Sequence, residues 1–589
     1  MSSRQDKLIE QFLSDELDSD ESIMYDSDAD PEYIPGGNKL QSCQETSTSN
    51  TFVPVGGSDS DDNDISVEVS SSDEDCDWSD SDLWVDTEKD ILDFNFDSTL
   101  SGIKINVPES ARDSPIDLFK LLWTDDIFDI IVNSTNNYGH IIKAVNRPHS
   151  KYSRKTCFNE TNKDEMQHFF GICLLLGSVK YSVLRDAFSN NPLYSHPLFK
   201  KTMSGRRFEQ LLNCFSVEYS GLEVCDDGPM RKINPVYTLL IQNFQKAIYP
   251  DINLSLDESL LLHRGRLGFR QYIKGKKAKY GIKFYELCTP DGYVLNIDMY
   301  KGKNDSISQV PSQTSKIDSL VLKLMSPYLG KGHSLYMDNY YNSVTLSNVL
   351  LNKQTHVTGT LRNNRKGNPK EVVNKKLKKG EHVWKRRGLV YVSKWKDKRD
   401  VVCITTNYKP TIILSTNKYG QERFKPIEIV KYNEFMSGVD RADQMISYYS
   451  CPRKSARWYK KVLFHLLDVT IWNTFFIYKK HFSLNNLRFK DFRDSLIRNF
   501  IQIPVDATCD QLFKKIKPKR SDIVIPDNAH FQETIPLPEG YKRKKYFKNC
   551  VVCFKKKVRK QTSFQCKTCK VGLCAGKCFE VYHIDKNLE

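Results

Sequence analysis

Between residues 252 and 361 the hydrophobic period runs two, then nearly four, then two again in a fixed order, and few folds accommodate that order. Ile252, Leu254 and Leu256 alternate with polar residues, which predicts a half-buried strand delivering Asp257 at its end. The stretch 280–288 (YGIKFYELC), a Pro-Asp-Gly turn at 290–292 and the stretch 293–300 predict two further strands of an antiparallel meander. Ser315 caps a helix with Ile317, Leu320, Val321 and Leu324 on one face. The next strand, 334–337, ends at Asp338, and a helix from Val344 to Leu351 and a strand from His356 to Leu361 follow.

Three antiparallel strands, a helix, a strand, a helix and a strand, with aspartates ending the first and fourth strands, is the element order of a ribonuclease-H-like core. That core sets those two strands side by side. A third carboxylate must come from a later helix, and 438–445 (GVDRADQM) puts Asp440 and Asp443 on one helical face. Asp440 lies 440 − 338 = 102 residues beyond Asp338, farther than a helix and a loop require, so an insertion is implied. Residues 365–426 read as a basic, mostly β module interrupting an α/β core.

A chain of 589 residues holds several domains. Its net charge of +14 conceals a split: residues 1–100 carry 4 Lys+Arg and 28 Asp+Glu, 4 − 28 = −24, leaving 83 − 45 = +38 for the rest. A basic body of that size favours a polyanion, and nucleic acid above others. Residues 1–109 are too polar and charged to bury a core and are expected to form a disordered acidic tail. Folded sequence is expected from near Ser114, with a helical region over 110–252. The N-terminus lacks the pattern of a secretory signal and no apolar stretch suffices to span a bilayer, which predicts a soluble intracellular chain without a membrane partner. Ten of the sixteen cysteines are scattered as expected of reduced thiols; six lie in the last forty residues.

Six blocks in order, 256–266 (LDESLLLHRGR), 269–273 (FRQYI), 279–283 (KYGIK), 336–343 (YMDNYYNS), 438–444 (GVDRADQ) and 453–458 (RKSARW), resemble the transposases of the piggyBac superfamily. The likeness runs from about residue 110 to the C-terminus. It implies that Asp257, Asp338 and Asp440 form a metal-binding catalytic triad and that Asp443 is also needed. It implies a catalytic core in two parts, 253–364 and 427–450, around the insertion. Helices of 110–252 and 451–530 would then join as one all-α dimerisation and DNA-binding domain. Carboxylates suit Mg2+ or Mn2+, and a pair of such ions about 3.5 to 4 Å apart activates a nucleophilic oxygen and stabilises a leaving one. Asp257 is assigned as bridging ligand, Asp338 and Asp440 as flanking ligands and Asp443 as auxiliary. The implied reaction is cut-and-paste: hydrolysis exposes a 3′-OH at each element end, a hairpin forms, and the freed end joins a TTAA target. The alternative is a host-adopted DNA-binding or chromatin protein that no longer cuts.

Double-stranded DNA, as terminal inverted repeats and target, is the expected partner, with a homodimer or higher assembly acting on it. Arg264, Arg266, Arg270, Lys274, Lys276, Lys277, Lys279 and Lys283 form one basic cluster, and Arg453, Lys454 and Arg457 a second, suited to phosphates. Trp458 is placed either as a base-stacking side chain or as an ordinary helix-packing one. Beyond a basic linker over 531–548, residues 549–589 read as a cysteine-rich zinc-binding domain. Cys550, Cys553, Cys574 and Cys578 would close one Zn2+ site, leaving Cys566, Cys569 and His583 for a second. Seven ligands then face eight places, and a water, another side chain or a different pairing would complete the set. Basic runs at 514–520 and 542–545 point to import into the nucleus.

Overall fold

The period-two segments pair into a single nine-stranded sheet. The computed structural model describes residues 83–144, 158–218, 228–273, 279–302, 315–416, 420–451, 457–482, 487–503, 530–541 and 543–584. These fall into two units, one up to Ala507 and one from Thr508. In the first, strands β1 (Asn253–Leu262), β2 (Tyr280–Cys288) and β3 (Val294–Met299) form the meander, followed by β4 (Ser334–Met337) and β5 (His356–Thr360). The sheet order is β3–β2–β1–β4–β5, with β1–β4 and β4–β5 parallel and the others antiparallel. The first and fourth strands are neighbours, as the element order requires.

Asp257 does not end its strand, contrary to the expectation, because β1 continues five residues beyond it to Leu262. The parallel partner β4 stops at Met337, opposite Leu256. Asp257 is therefore the first residue past that pairing, and Asp338 the first past β4. The insertion is not a separate module either. Its strands β6 (His382–Arg387), β7 (Val390–Lys396) and β8 (Asp400–Thr405) continue the central sheet, with β8 antiparallel to β5, and only β9 (Ile412–Thr416) and β10 (Glu422–Pro426) stand apart as a hairpin. Glu428, fully buried at the start of the helix that follows, ties this region back. Its Oε1 accepts the Ser393 hydroxyl at 2.6 Å and lies 3.1 Å from His382 Nε2.

Helices α1 (Pro115–Leu122), α2 (Asp125–Ala144), α3 (Lys163–Ser178), α4 (Gly205–Cys214) and α5 (Asn234–Ala247) precede the sheet. Their starts are set by local chemistry: Asn162 caps α3 through the Glu165 N–H, and Ser204 caps α4 through the Arg207 N–H. Helix α6 (Lys316–Met325) opens on a Ser315–Asp318 capping box, and Ser343 caps α7 (Val344–Asn352). After the insertion come α8 (Ile427–Phe435), α9 (Gly438–Tyr448), α10 (Trp458–His481) and α11 (Phe489–Phe500). Helix α11 packs on α3 and α10 on α1, so helices from both sides of the sheet share one core through Phe119, Phe170, Leu467 and Phe500.

A buried ion pair holds this junction. Arg493, 2% exposed, donates to Asp468 Oδ1 at 3.4 Å and to the Leu174 carbonyl at 3.1 Å, while Asp468 Oδ2 accepts the Cys451 N–H at 2.8 Å. Burial pushes the Asp468 carboxyl up to about 6 against the pull of the guanidinium. Removing one partner strands a buried charge. Arg493→Met is expected to lower stability by about 3–5 kcal/mol. Chemical denaturation should show it, with much of the loss recovered in Arg493→Met/Asp468→Leu.

Residues 83–109, expected to belong to the disordered tail, are placed. Val85 bridges Arg386 of β6, and the Lys89 N–H and carbonyl both bond the Tyr391 hydroxyl at 2.8 Å. Farther along, Asp90 pairs with Lys409 at 2.9 Å, the Leu92 carbonyl meets His356 Nε2 at 3.0 Å, and Phe96 packs on His333. His356 opens β5 and His333 precedes β4, so the strap runs along the end of the sheet remote from Asp338. For residues 83–109 the tail expectation failed because half-buried Trp84, Val85, Ile91, Phe94 and Phe96 anchor a segment whose average composition is polar; the rest of the expected tail, 1–82, lies outside the described residues.

The second unit is small. Strand Gln532–Thr534, in the stretch expected to be a linker, pairs with Phe564–Cys566, and helices Val551–Lys555 and Lys577–Ile584 pack on each other. Among the described residues no helix is long and apolar enough to cross a membrane.

Candidate functional site

The site begins where β4 ends. Asp338 Oδ1 accepts the Tyr340 N–H at 2.8 Å, and Asp257 Oδ1 accepts the Glu258 N–H at 2.8 Å. Burial raises the Asp338 carboxyl above its ordinary range; the Tyr340 N–H opposes this and nearby Glu258 adds to it. Glu258 is itself held by the Tyr341 hydroxyl at 3.3 Å. Carboxylates gathered this closely repel one another, and a cation relieves that repulsion. Tyr432, from α8, lies within electrostatic reach of both Asp338 and Asp257.

Helix α9 packs across β1 because Gly438 has no side chain. A Cβ there would meet Ser255 Oγ at 2.3 Å and the Thr289 carbonyl at 2.3 Å. On this helix Asp440 is exposed in the first turn and Asp443 is half-buried one turn on. Burial, then Glu286, Asp443 and Asp257, all push the Cys288 thiol upward, which places the Asp443 and Asp257 carboxylates around one sulfur. Among the described residues, three or more ligand atoms within 4.8 Å of one another occur only in one all-cysteine and one cysteine–histidine group, so the four aspartates form a wider arrangement than a closed metal cage.

The expected DNA contacts divide. Arg264, Arg266, Arg270 and Lys279 are exposed, and Arg270 braces its loop through the Arg264 and Gly265 carbonyls at 3.1 Å. Arg457 donates to the Asn213 carbonyl at 2.9 Å, a helix-packing contact. Trp458 is 2% exposed against Phe269, so it packs in the core and presents no face for stacking on a base. Lys283 is buried beside Asp338, with its ammonium over two tyrosine rings. Lys274, Lys276, Lys277, Arg453 and Lys454 lie outside the described residues.

In the small unit Cys550, Cys553, Cys574 and Cys578 form one group of four, and His530, Cys566, Cys569 and His583 the other. His530 is the eighth ligand that spacing left open. Cys553 Sγ lies 4.0 Å from Cys574 Sγ and 3.7 Å from Cys578 Sγ, and Cys569 Sγ lies 3.2 Å from His530 Nδ1 and 3.6 Å from His583 Nε2. A tetrahedron with Zn–S bonds of about 2.3 Å has edges of about 3.8 Å, so both groups are compatible with Zn2+. His583 Nδ1 donates to the Phe579 carbonyl at 2.7 Å, which leaves Nε2 to ligate. His530 escapes a spacing rule because it precedes the first cysteine by twenty residues and arrives beside Cys566 through strand pairing.

Comparison with known proteins agrees with this arrangement. The transposase IS4 family model matches residues 114–475, and a DDE_Tnp_1-like zinc finger model matches 539–584. Human PiggyBac transposable element-derived protein 3 is 24% identical over 492 residues, covering 80% of this chain and 76% of that protein. Human PiggyBac transposable element-derived protein 2 is 25% identical over 421 residues, 67% of this chain and 66% of that protein. The cryo-EM structure of the piggyBac transposase synaptic complex with hairpin DNA superposes with a TM-score of 0.59 at 25% identity, covering 79% of this chain and 96% of that one. With the IS4 transposase model spanning more than half of its length, the chain belongs to that transposase family and, within it, to the piggyBac superfamily of transposase-like proteins.

Proposed function

We propose that the chain is a DDE/D-type DNA transposase that cuts element ends, passes through hairpin intermediates and joins the freed ends to TTAA targets in the nucleus. The observation that carries the reading is the placement of Asp257 and Asp338 at adjoining parallel-strand positions. Helix α9, which carries Asp440 and Asp443, packs across β1. In a ribonuclease-H-like core these carboxylates would hold Mg2+ or Mn2+. Such ions supply Lewis-acid stabilisation of the attacking and leaving oxygens. The chain's own contribution is to fix the carboxylates on rigid strands and to offer Arg264, Arg266 and Lys279 to the DNA backbone. The structural neighbour was solved with hairpin DNA, which supports DNA as the substrate. The homodimeric assembly rests on the family resemblance alone.

The test is incubation of the purified chain with Mg2+ and DNA bearing the sequences that flank its gene. Nicks with 3′-OH ends, then hairpins, are expected at the element ends. A second reading is favoured by the names of the human relatives, which describe element-derived proteins: host-adopted DNA binding without cleavage. Specific binding to end DNA with no nick in Mg2+ or Mn2+ would establish it over the first.

Salt separates the two modes of DNA engagement. Removing positive charge by Arg264→Gln/Arg266→Gln is expected to lower duplex affinity for all sequences alike and to flatten the salt slope by roughly 1 to 2 units. Titrations of end and scrambled duplexes at several salt concentrations would show it.

A further inference from the structure

The turn after β4 is gripped from two sides. Lys283 reaches it from β2, 8% exposed, with Nζ 4.4 Å from the Tyr340 ring centroid and 4.6 Å from that of Tyr285. Arg362, just past β5, lies over the same Tyr340 ring at 5.6 Å and donates to Asn339 Oδ1 at 3.3 Å. Arg365 donates to the carbonyls of Asn339 and Tyr340. Below the turn, Asn342 Nδ2 donates to the Met337, Asp338 and Thr360 carbonyls at 2.9, 3.1 and 3.0 Å.

A lysine serving only as a phosphate contact belongs on the surface, where its ammonium stays hydrated. Burying it costs solvation, and aromatic faces compensate in part. The residue that receives both cations is the one whose backbone N–H orients the Asp338 carboxylate. The Asn339 carbonyl that Arg365 holds belongs to the same peptide unit as the Tyr340 N–H, so a turn held by its ring and by this carbonyl holds one oxygen of Asp338.

We propose that Tyr340, held between Lys283 and Arg362, is a positioning residue that keeps the Asp338 carboxylate oriented to take a divalent cation, and that Lys283 acts through Tyr340. The proposal rests on the reading of Asp338 as a metal ligand given above. It makes a loop residue and a buried lysine part of the metal-binding function without either touching the ion.

The test uses the full chain and Mn2+ binding followed by electron paramagnetic resonance in the absence of DNA, with Asp338→Asn defining the signal owed to this site. Tyr340→Leu and Lys283→Met are each expected to weaken Mn2+ binding roughly five- to thirty-fold, as the loss of a desolvated cation–π contact implies. Tyr340→Phe and Lys283→Arg, which keep the ring and the charge, are expected to stay within about threefold of wild type. A structural role alone would lower the melting temperature and leave Mn2+ affinity of the folded fraction unchanged, so thermal melts accompany each titration. Wild-type affinity in both Tyr340→Leu and Lys283→Met, with the signal still lost in Asp338→Asn, overturns the clamp and leaves the metal site standing. No difference between wild type and Asp338→Asn overturns the metal site and the clamp with it. Should Tyr340→Leu not fold, Lys283→Met against Lys283→Arg decides the matter, since the ring is then intact.

Discussion

Asp338→Asn is expected to abolish metal-dependent cleavage of end DNA, by roughly a thousandfold or more in rate, while duplex affinity stays within about twofold. The asymmetry follows from placement. Asp338 sits at the end of a buried parallel strand, half-buried and oriented by the Tyr340 N–H, and it belongs to none of the exposed basic clusters. Asparagine keeps the shape and the acceptor of that hydrogen bond, so the fold should survive. What is lost is the negative charge a hard cation needs, and each tenfold in rate corresponds to about 1.4 kcal/mol of transition-state stabilisation. Asp257→Asn should match it, since the residue occupies the neighbouring position on β1. Asp440 and Asp443 give a sharper comparison. Asp443 shares the surroundings of Cys288 with Asp257, whereas Asp440 is exposed. Asp440→Asn should also eliminate cleavage if α9 closes on the metal when DNA is bound. Single-turnover cleavage and gel-shift affinity on the same preparations would measure both quantities; normal cleavage by a folded Asp338→Asn protein would refute the assignment.

His530→Ala is expected to lower the zinc content of the chain from two ions to one and to unfold the part of the C-terminal unit that the second group closes. Few apolar residues are buried there: Val552, Leu573 and Tyr582 accompany Cys550 and Cys566 in its core, with Ile535 buried besides. A core that small does not fold on hydrophobic burial alone, and structural zinc in comparable modules supplies about 10–16 kcal/mol of apparent binding free energy. His530 also anchors the strand Gln532–Thr534 to Phe564–Cys566, so its loss frees one edge of the unit. Elemental analysis and limited proteolysis would follow the change, with Cys550→Ser as a comparison that removes a ligand of the other group. Two zinc ions retained per chain in His530→Ala would mean that the second group closes without it. The unit up to Ala507 should keep its melting transition in either variant.

The strands carrying Asp257 and Asp338 were legible because burial on one face enforces a period of two, and the start of α6 because Ser315 satisfies an N–H group that the helix leaves open. Asp338 and Asp440 were legible as carboxylates at element edges, whereas Asp257 lies inside β1 and Asp443 inside α9. What sequence did not reveal was long-range pairing. The insertion strands read as a module because periodicity reports which face is buried and not which strand lies alongside, so β8 joining β5 was invisible. His530 was missed for the same reason. Lys283 was misplaced because a run of lysines and arginines looks alike whether a member points to solvent or lies between Tyr285 and Tyr340. Trp458 carried both readings until its burial against Phe269 decided for packing.

The strap along the sheet has a consequence for how the chain is made. Its partners lie far downstream: His356 is 264 residues beyond Leu92, Arg386 is 299 beyond Thr87, and Lys409 is 319 beyond Asp90. At a synthesis rate of about 5–20 residues per second, the segment leaves the ribosome roughly ten seconds to a minute before its docking site exists. Helix α1 waits longer still for α10, and α3 as long for α11, with 319 residues between Leu174 and Arg493. A waiting segment with Trp84, Phe94 and Phe96 would be prone to pair with other nascent chains, and Asp86, Glu88, Asp90 and Asp93 between them, with Asp97 just after, keep it solvated and mutually repelling. The acidic residues of this stretch thus serve the minutes of biosynthesis as well as the folded state.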